Sequence, residues 1–363
     1  MATPARFDQS VPCQPAVMEL VSNADYIPSQ RTAEESYYQP THIVPELGRV
    51  SLLHSRLVQL PNDMSPRLRR TMAVNLGSTE HCVRITEPSD DGAQATAPLD
   101  SIVMLHGYTE MIDAGTGKNL HDAIAPHFPD KRIISIATDG VGRYCHKVGW
   151  REGLTKSFRS MAIDRHRLIN VVGGGGSISL FDVSMGSMIG LELLDYNTRL
   201  PQESFAMNDQ DRRLDIEAVI HHSSAHVTRG RIGPDVLMRF PTHICCDSLK
   251  MQLALKAFTP GHAAVVRALP RSLPALTGNG LNILKGVDAK KRLAAARDYR
   301  TGYIIGQNDP LGQRKQMLQL ATLYPDTVKL HIKPHTGHAA CMDARSAAAD
   351  FATMHDTLAN SKF

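Results

Sequence analysis

The stretch "LFDVSMGSMIG", residues 180–190, decides how this chain is read. An apolar, strand-like approach ends in Asp182-Val183, a serine follows at 184, and Met185-Gly186-Ser187 lead into an apolar segment of helical character. A strand, a sharp turn and a helix in that order can expose a serine hydroxyl, because small residues after the serine let strand and helix approach. The Met185 N–H then stands at a helix start, where unpaired donors and the helix dipole favour negative charge. Taken alone, Ser184 is either a nucleophile or a serine capping a helix.

The sequence on either side of this stretch alternates strand and helix. "SIVMLHG", "KRIISIATDG", "SISLFDV", "LDIEAVIHHSSAHV", "RTGYIIGQNDP" and "TVKLHIKPH" are short apolar runs of strand character. "NLHDAIAPHF", "SFRSMAIDRHRLINVV", "SMGSMIGLELLDYN", "GQRKQMLQLATLY" and "ARSAAADFATMHDTLAN" have helical spacing between them. Such alternation predicts an α/β fold, a mostly parallel central sheet with helices on both faces. "RRTMAVNLG" and "HCVRITEP", separated by "STE", predict an antiparallel hairpin ahead of it. The expected divisions are an N-terminal arm over residues 1–65, core over 66–227, a helical insertion over 228–298 and core again over 299–363.

Functional groups of an open parallel sheet collect at the carboxyl ends of its strands, and two further candidates stand there. Asp309 ends "GYIIGQNDP", where an Asn-Asp-Pro turn is the plainer reading. His338 follows a glycine in "HIKPHTGHAACMD", on a loop after a strand, with His335 as a nearby competitor among 17 histidines. A neutral histidine can take a proton from a serine, and a carboxylate can fix its tautomer. The order Ser184, Asp309, His338, each at a strand end, gives these positions a joint meaning that none has alone.

On these residues the chain, from about residue 70 onward, resembles the α/β-hydrolase fold superfamily, whose triad runs serine, acid, histidine. "MLHGYTE" is similar to the family's His-Gly segment, with His106 and Gly107, and the resemblance implies a second oxyanion N–H at Tyr108 beside that of Met185. "ATDGVGR" resembles the family loop after its fourth strand, with Asp139, Gly140 and Gly142. The insertion lies where the family carries its cap, before the penultimate core strand, and residues 1–65 form an N-terminal extension. Gly186 matches the family's elbow, whereas Asp182 departs from it by standing where a small residue is usual. The implied activity is a serine hydrolase of carboxylic esters or thioesters, with no metal or organic cofactor and a small-molecule acyl substrate. An acyltransferase with an alcohol or thiol acceptor, and a non-hydrolytic ligand-binding member, are the alternatives.

Composition narrows the field. Across 363 residues, 42% are hydrophobic and 21% charged, enough to bury a large core. A net charge of +4 without a dense Lys/Arg block gives no basis for nucleic-acid binding. Cysteines 13, 82, 145, 245, 246 and 341 lack metal spacing, and a reduced, cytoplasmic setting is expected. The first twenty residues have no signal-peptide pattern, and no apolar run reaches the ~18 residues of a membrane span. Any homo-oligomer contact is expected through the arm or the cap. "GGGG" at 173–176 lacks the Lys-Ser/Thr of a phosphate loop and is read as a turn. His221, His222 and His226 are read as strand-end histidines without a metal partner, and Met185 and Met188 as core or pocket lining.

Overall fold

Strands buried on both faces carry apolar residues at consecutive positions, since each face meets a helix layer. "SIVML" and "RIISI" have this pattern and become β4 (Leu99–Leu105) and β5 (Arg132–Ile136) at the heart of the sheet. The computed structural model describes residues 50–60, 66–76, 79–89, 98–108, 110–112, 115–141, 147–201, 211–225, 260–309, 311 and 313–361. These fall within the unit Val44–Phe363. Most of the arm, residues 226–259 of the insertion, Gly142, His226 and the cysteines at 13, 145, 245 and 246 lie outside the described residues.

The other strands are β1 (Val50–Val58), β2 (Arg67–Leu76), β3 (Thr79–Thr86), β6 (Gly175–Val183), β7 (Ile216–His222), β8 (Thr301–Gly306) and β9 (Val328–Lys333). They form one nine-stranded sheet in the order β1-β2-β3-β5-β4-β6-β7-β8-β9. β1, β2 and β3 pair antiparallel, β3 joins β5 antiparallel, and every pairing from β5 to β9 is parallel. β2 and β3 are the expected hairpin, with Leu76 opposite Thr79. β1 lies in the segment assigned to the arm and continues the sheet at its edge, with Leu52, Leu53 and Leu57 exposed.

Helices cover both faces. α1 (Gly115–Ile124) and α8 (Ala344–Ala359) bury Leu120, Ile124, Phe351 and Leu358 against Ile102, Met104, Phe181 and Val183. On the opposite face α3 (Phe158–Val172), α4 (Gly186–Thr198) and α6 (Ala289–Asp298) meet Val103, Leu105, Leu180 and Val219. Alternate residues of one strand therefore serve different layers, which puts Leu180 and Asp182 on the α4 side. A reciprocal cap starts α3, since Ser157 Oγ accepts from Ser160 N and Ser160 Oγ accepts from Ser157 N, both at 3.1 Å. α7 (Arg314–Leu323) follows β8 and leads to β9.

Between β7 and β8 the described part of the insertion holds α6 and the long α5 (Pro260–Lys285). A short helix the sequence did not announce, α2 (Trp150–Thr155), packs on α5 through glycines. A Cβ on Gly278 would collide with the carbonyl of Gly153, and one on Gly153 would lie 2.5 Å from Pro274 O. No helix of the described residues is long and apolar enough to cross a membrane.

Candidate active site

β6 ends at Val183 and α4 starts at Gly186, so the chain must reverse within two residues. Ser184 makes the turn with φ 49°, in the left-handed region that side chains with a Cβ rarely adopt. Strain of that kind costs roughly 1–3 kcal/mol and persists only where the surroundings hold it. Here Ser184 N donates to His222 O at 3.0 Å, and Ser184 O accepts from Ser187 Oγ at 2.5 Å. Ser187 in turn accepts from Ala225 N at 3.2 Å, tying the elbow to the chain beyond β7. Gly186 is required at its position because a Cβ there would collide with the carbonyl oxygen of Leu105.

His338 opens a 3-10 turn, His338–Met342, past β9, and its Nε2 lies 2.7 Å from Ser184 Oγ. Its Nδ1 is 3.0 Å from both carboxylate oxygens of Asp309, past the end of β8. A carboxylate only accepts, so this partner places the hydrogen on Nδ1 and leaves Nε2 to accept from the serine hydroxyl. Asp309 Oδ1 also accepts from Leu311 N at 2.8 Å, which fixes the carboxyl group. Both side chains are buried. His335, the competitor, is exposed in the preceding turn at φ 56°.

The His106-Gly107 loop comes up beside the elbow from β4. A Cβ on Gly107 would lie 3.3 Å from Ser184 Cβ, so the loop and the serine are immediate neighbours. Tyr108 is half-buried, and its hydroxyl donates to Leu276 O of α5 at 2.7 Å. Burial raises the Tyr108 phenol above its ordinary value, which keeps it a donor. Met185 is fully buried at the N-terminus of α4. Around the loop Met111, Val141, Val148, Ala275 and Leu276 form an apolar cluster with Tyr108.

Asp182 turns away from this constellation. Its fully buried carboxylate has Oδ2 3.2 Å from His221 Nδ1, opposite it on β7, and His221 stacks on Tyr303 of β8 at 5.1 Å. Burial raises the Asp182 carboxyl above its usual value, against the pull of His221. His222, the next residue, faces the other layer, with Nε2 3.2 Å from Asp350 Oδ2. Burial lowers the His222 pKa, against the pull of Asp350.

Asp139, after β5, is buried between Arg165 at 2.7 Å, His81 at 3.1 Å and Lys156 at 2.8 Å. Burial alone would raise its pKa; Arg165, His81 and Lys156 outweigh that and hold it well below the usual range. Gly140 has φ 70°, and a Cβ there would press on Val148 and Ala275.

Two residues at the site escaped the sequence reading. Glu110, buried in the His-Gly loop, accepts from Gly107 N at 2.7 Å. Cys341 is buried and its thiol donates to His338 O at 3.7 Å, with burial and the charges of Glu110 and Asp309 pushing its pKa up. Nothing in one sequence marks either, since both are defined by tertiary contacts.

No protein-family model and no curated sequence matches the chain. Solved structures do. A putative lipase from Acinetobacter baumannii AYE superposes with a TM-score of 0.54 at 12% identity, over 81% of this chain and 93% of its own. A structure from a study of carboxylesterases of the thaumarchaeon Nitrososphaera gargenis gives 0.53 at 12%, over 80% and 100%. A thermophilic esterase from Thermogutta terrifontis gives 0.50 at 12%, over 84% and 99%. Taken with the strand order and its antiparallel lead-in, these likenesses show that the chain has the α/β-hydrolase fold.

Proposed function

We propose that the protein hydrolyses carboxylic esters or thioesters through an acyl-enzyme on Ser184. The observation that carries this reading is the hydrogen-bonded series Ser184 Oγ, His338, Asp309, assembled from three strand ends around a serine in a left-handed turn. The solved structures of like fold that are described as esterases and a putative lipase support the same reaction class.

His338 Nε2 takes the hydroxyl proton as Ser184 Oγ attacks the acyl carbon, and Asp309 stabilises the imidazolium that results. The N–H groups of Tyr108 and Met185 receive the oxyanion, the first from the loop after β4 and the second from the start of α4. His338 then returns the proton to the leaving alcohol or thiol. Water, deprotonated by the same nitrogen, releases the acid. The helical insertion serves as a cap: its Ala275 and Leu276, with Tyr108, Met111, Val141 and Val148 of the core, give the acyl group an apolar wall.

The test is Ser184→Ala assayed on p-nitrophenyl acetate, together with a fluorophosphonate probe mapped by mass spectrometry. Turnover should vanish while the melting temperature holds, and the probe should sit on Ser184. Wild-type turnover in the variant, or a label on another serine, ends the reading.

A further inference from the structure

We propose that Glu110 is the positioning residue that sets the direction of the Tyr108 N–H, and so forms one half of the oxyanion site; this rests on the hydrolase reading above. A buried carboxylate is unfavourable unless its charge is met by donors, and Glu110 is 7% exposed. What meets it is main chain: Gly107 N donates to Glu110 Oε2 at 2.7 Å. The return contact is also made, Glu110 N donating to Gly107 O at 3.4 Å. Thr138 Oγ1 reaches the same oxygen at 3.5 Å. Both polar groups of Gly107 are thus held by one residue three positions ahead.

Peptide planarity makes this consequential. The Gly107 carbonyl and the Tyr108 N–H belong to one rigid plane and point in opposite directions. Fixing the Gly107 oxygen on Glu110 N fixes where the Tyr108 hydrogen points. The carboxylate fixes the preceding plane through Gly107 N, so the two planes flanking a glycine, the residue with most backbone freedom, are both pinned. Glu110 and Ser184 lie against the same point, since a Cβ on Gly107 would stand 3.3 Å from Glu110 Oε2 and 3.3 Å from Ser184 Cβ. His106 completes the brace: its Nδ1 is 3.4 Å from Glu110 Oε2 and would be 3.2 Å from a Cβ on Gly117 of α1. The loop is therefore wedged between the helix behind it and the serine ahead.

Reach, and not charge, is what this role requires, and two substitutions separate them. Glu110→Gln keeps an accepting oxygen at the same distance without the charge. Glu110→Asp keeps the charge but is one methylene too short for Gly107 N. On p-nitrophenyl acetate Glu110→Asp should lose about tenfold or more in kcat with KM within about threefold, the pattern of an interaction made in the transition state. Its inhibition constant for a trifluoromethyl ketone, whose adduct carries an oxyanion, should rise in parallel. Glu110→Gln should stay within about threefold of the wild type in both.

A Gln variant as impaired as the Asp variant, unchanged kcat in both, or a change in KM alone would overturn the proposal. If Glu110→Asp fails to fold, Glu110→Ala takes its place. A roughly tenfold kcat loss in Glu110→Ala beside a Glu110→Gln near the wild type sustains the proposal. A roughly tenfold loss in Glu110→Gln at unchanged melting temperature, or no loss in Glu110→Ala, ends it. Fluorophosphonate labelling of Ser184 in the wild type keeps the two questions apart. Absence of that label removes the hydrolase reading, whereas a labelled serine with indifferent Glu110 variants removes only the role of Glu110.

Discussion

Asp182 occupies the volume that a side chain on Gly190 would need: a Cβ at Gly190 would fall on the carboxylate oxygen Oδ2 of Asp182. The bulk that the elbow strand carries two residues before Ser184 is thus compensated by Gly190, about one helical turn into α4. The pair predicts a non-additive mutant cycle. Gly190→Ala alone should destabilise by about 2 kcal/mol through overpacking. Asp182→Ala alone should cost about 3 kcal/mol, because it removes the carboxylate that faces His221 in a fully buried site. In the double variant the Gly190→Ala cost should disappear. Urea unfolding of the four proteins gives the coupling, and additive values would show that the two residues do not share the space.

The left-handed Ser184 predicts a stability ranking between two variants that remove its hydroxyl. Ser184→Ala and Ser184→Gly both lose the hydroxyl and its bond to His338. Only glycine relieves φ 49°, which costs a residue with a Cβ roughly 1–2 kcal/mol. The glycine variant should melt higher than the alanine variant, by an amount worth about 1 kcal/mol after its own backbone entropy is counted. Equal melting curves would mean that the turn is not strained.

A pH dependence is built into the layer behind the site. Burial lowers the pKa of His166 from 6.5 to about 4, against the hydrogen bond with Asn197. The arrangement suits the neutral ring: Nε2 donates to Asn197 Oδ1 at 3.1 Å, and Nδ1 accepts from Asn170 Nδ2 at 3.4 Å. The folded value lies below the unfolded one, so this contribution is whole above about pH 6.5 and is lost as the pH falls towards 4. The shift corresponds to about 3 kcal/mol. Melting temperatures between pH 4 and 8 should fall less steeply on the acid side in His166→Gln than in the wild type. Parallel profiles would show that His166 is not titrating in this window.

Legibility in the sequence followed burial. β4 to β8 could be read because strands covered on both faces are apolar at successive positions, β9 because Val328, Leu330 and Ile332 alternate with polar residues, and Ser184, Asp309 and His338 because they follow strand ends. β1 could not: seven of its nine residues are exposed, so it is a strand by pairing with β2 and not by any alternation of its own. α2 buries only Gly153 and offers no periodic stripe. Asp182 looked like a defect of the elbow because the residue that accommodates it, Gly190, stands outside any local turn rule. Glu110 was silent because a glutamate in a loop acquires meaning only when its oxygen meets Gly107 N.

Tyr108 stands at a mechanical junction. Its hydroxyl is fastened to the main chain of α5 at Leu276, and its backbone belongs to the loop that Glu110 braces beside Ser184. α5 is itself packed on α2 through the close glycine contact of Gly153 and Gly278. A displacement of α5 at Leu276 would have to break that hydrogen bond or carry the Tyr108 side chain with it. In the hydrolase mechanism proposed above, one side chain would thus link the position of α5 to the backbone donor beside Ser184.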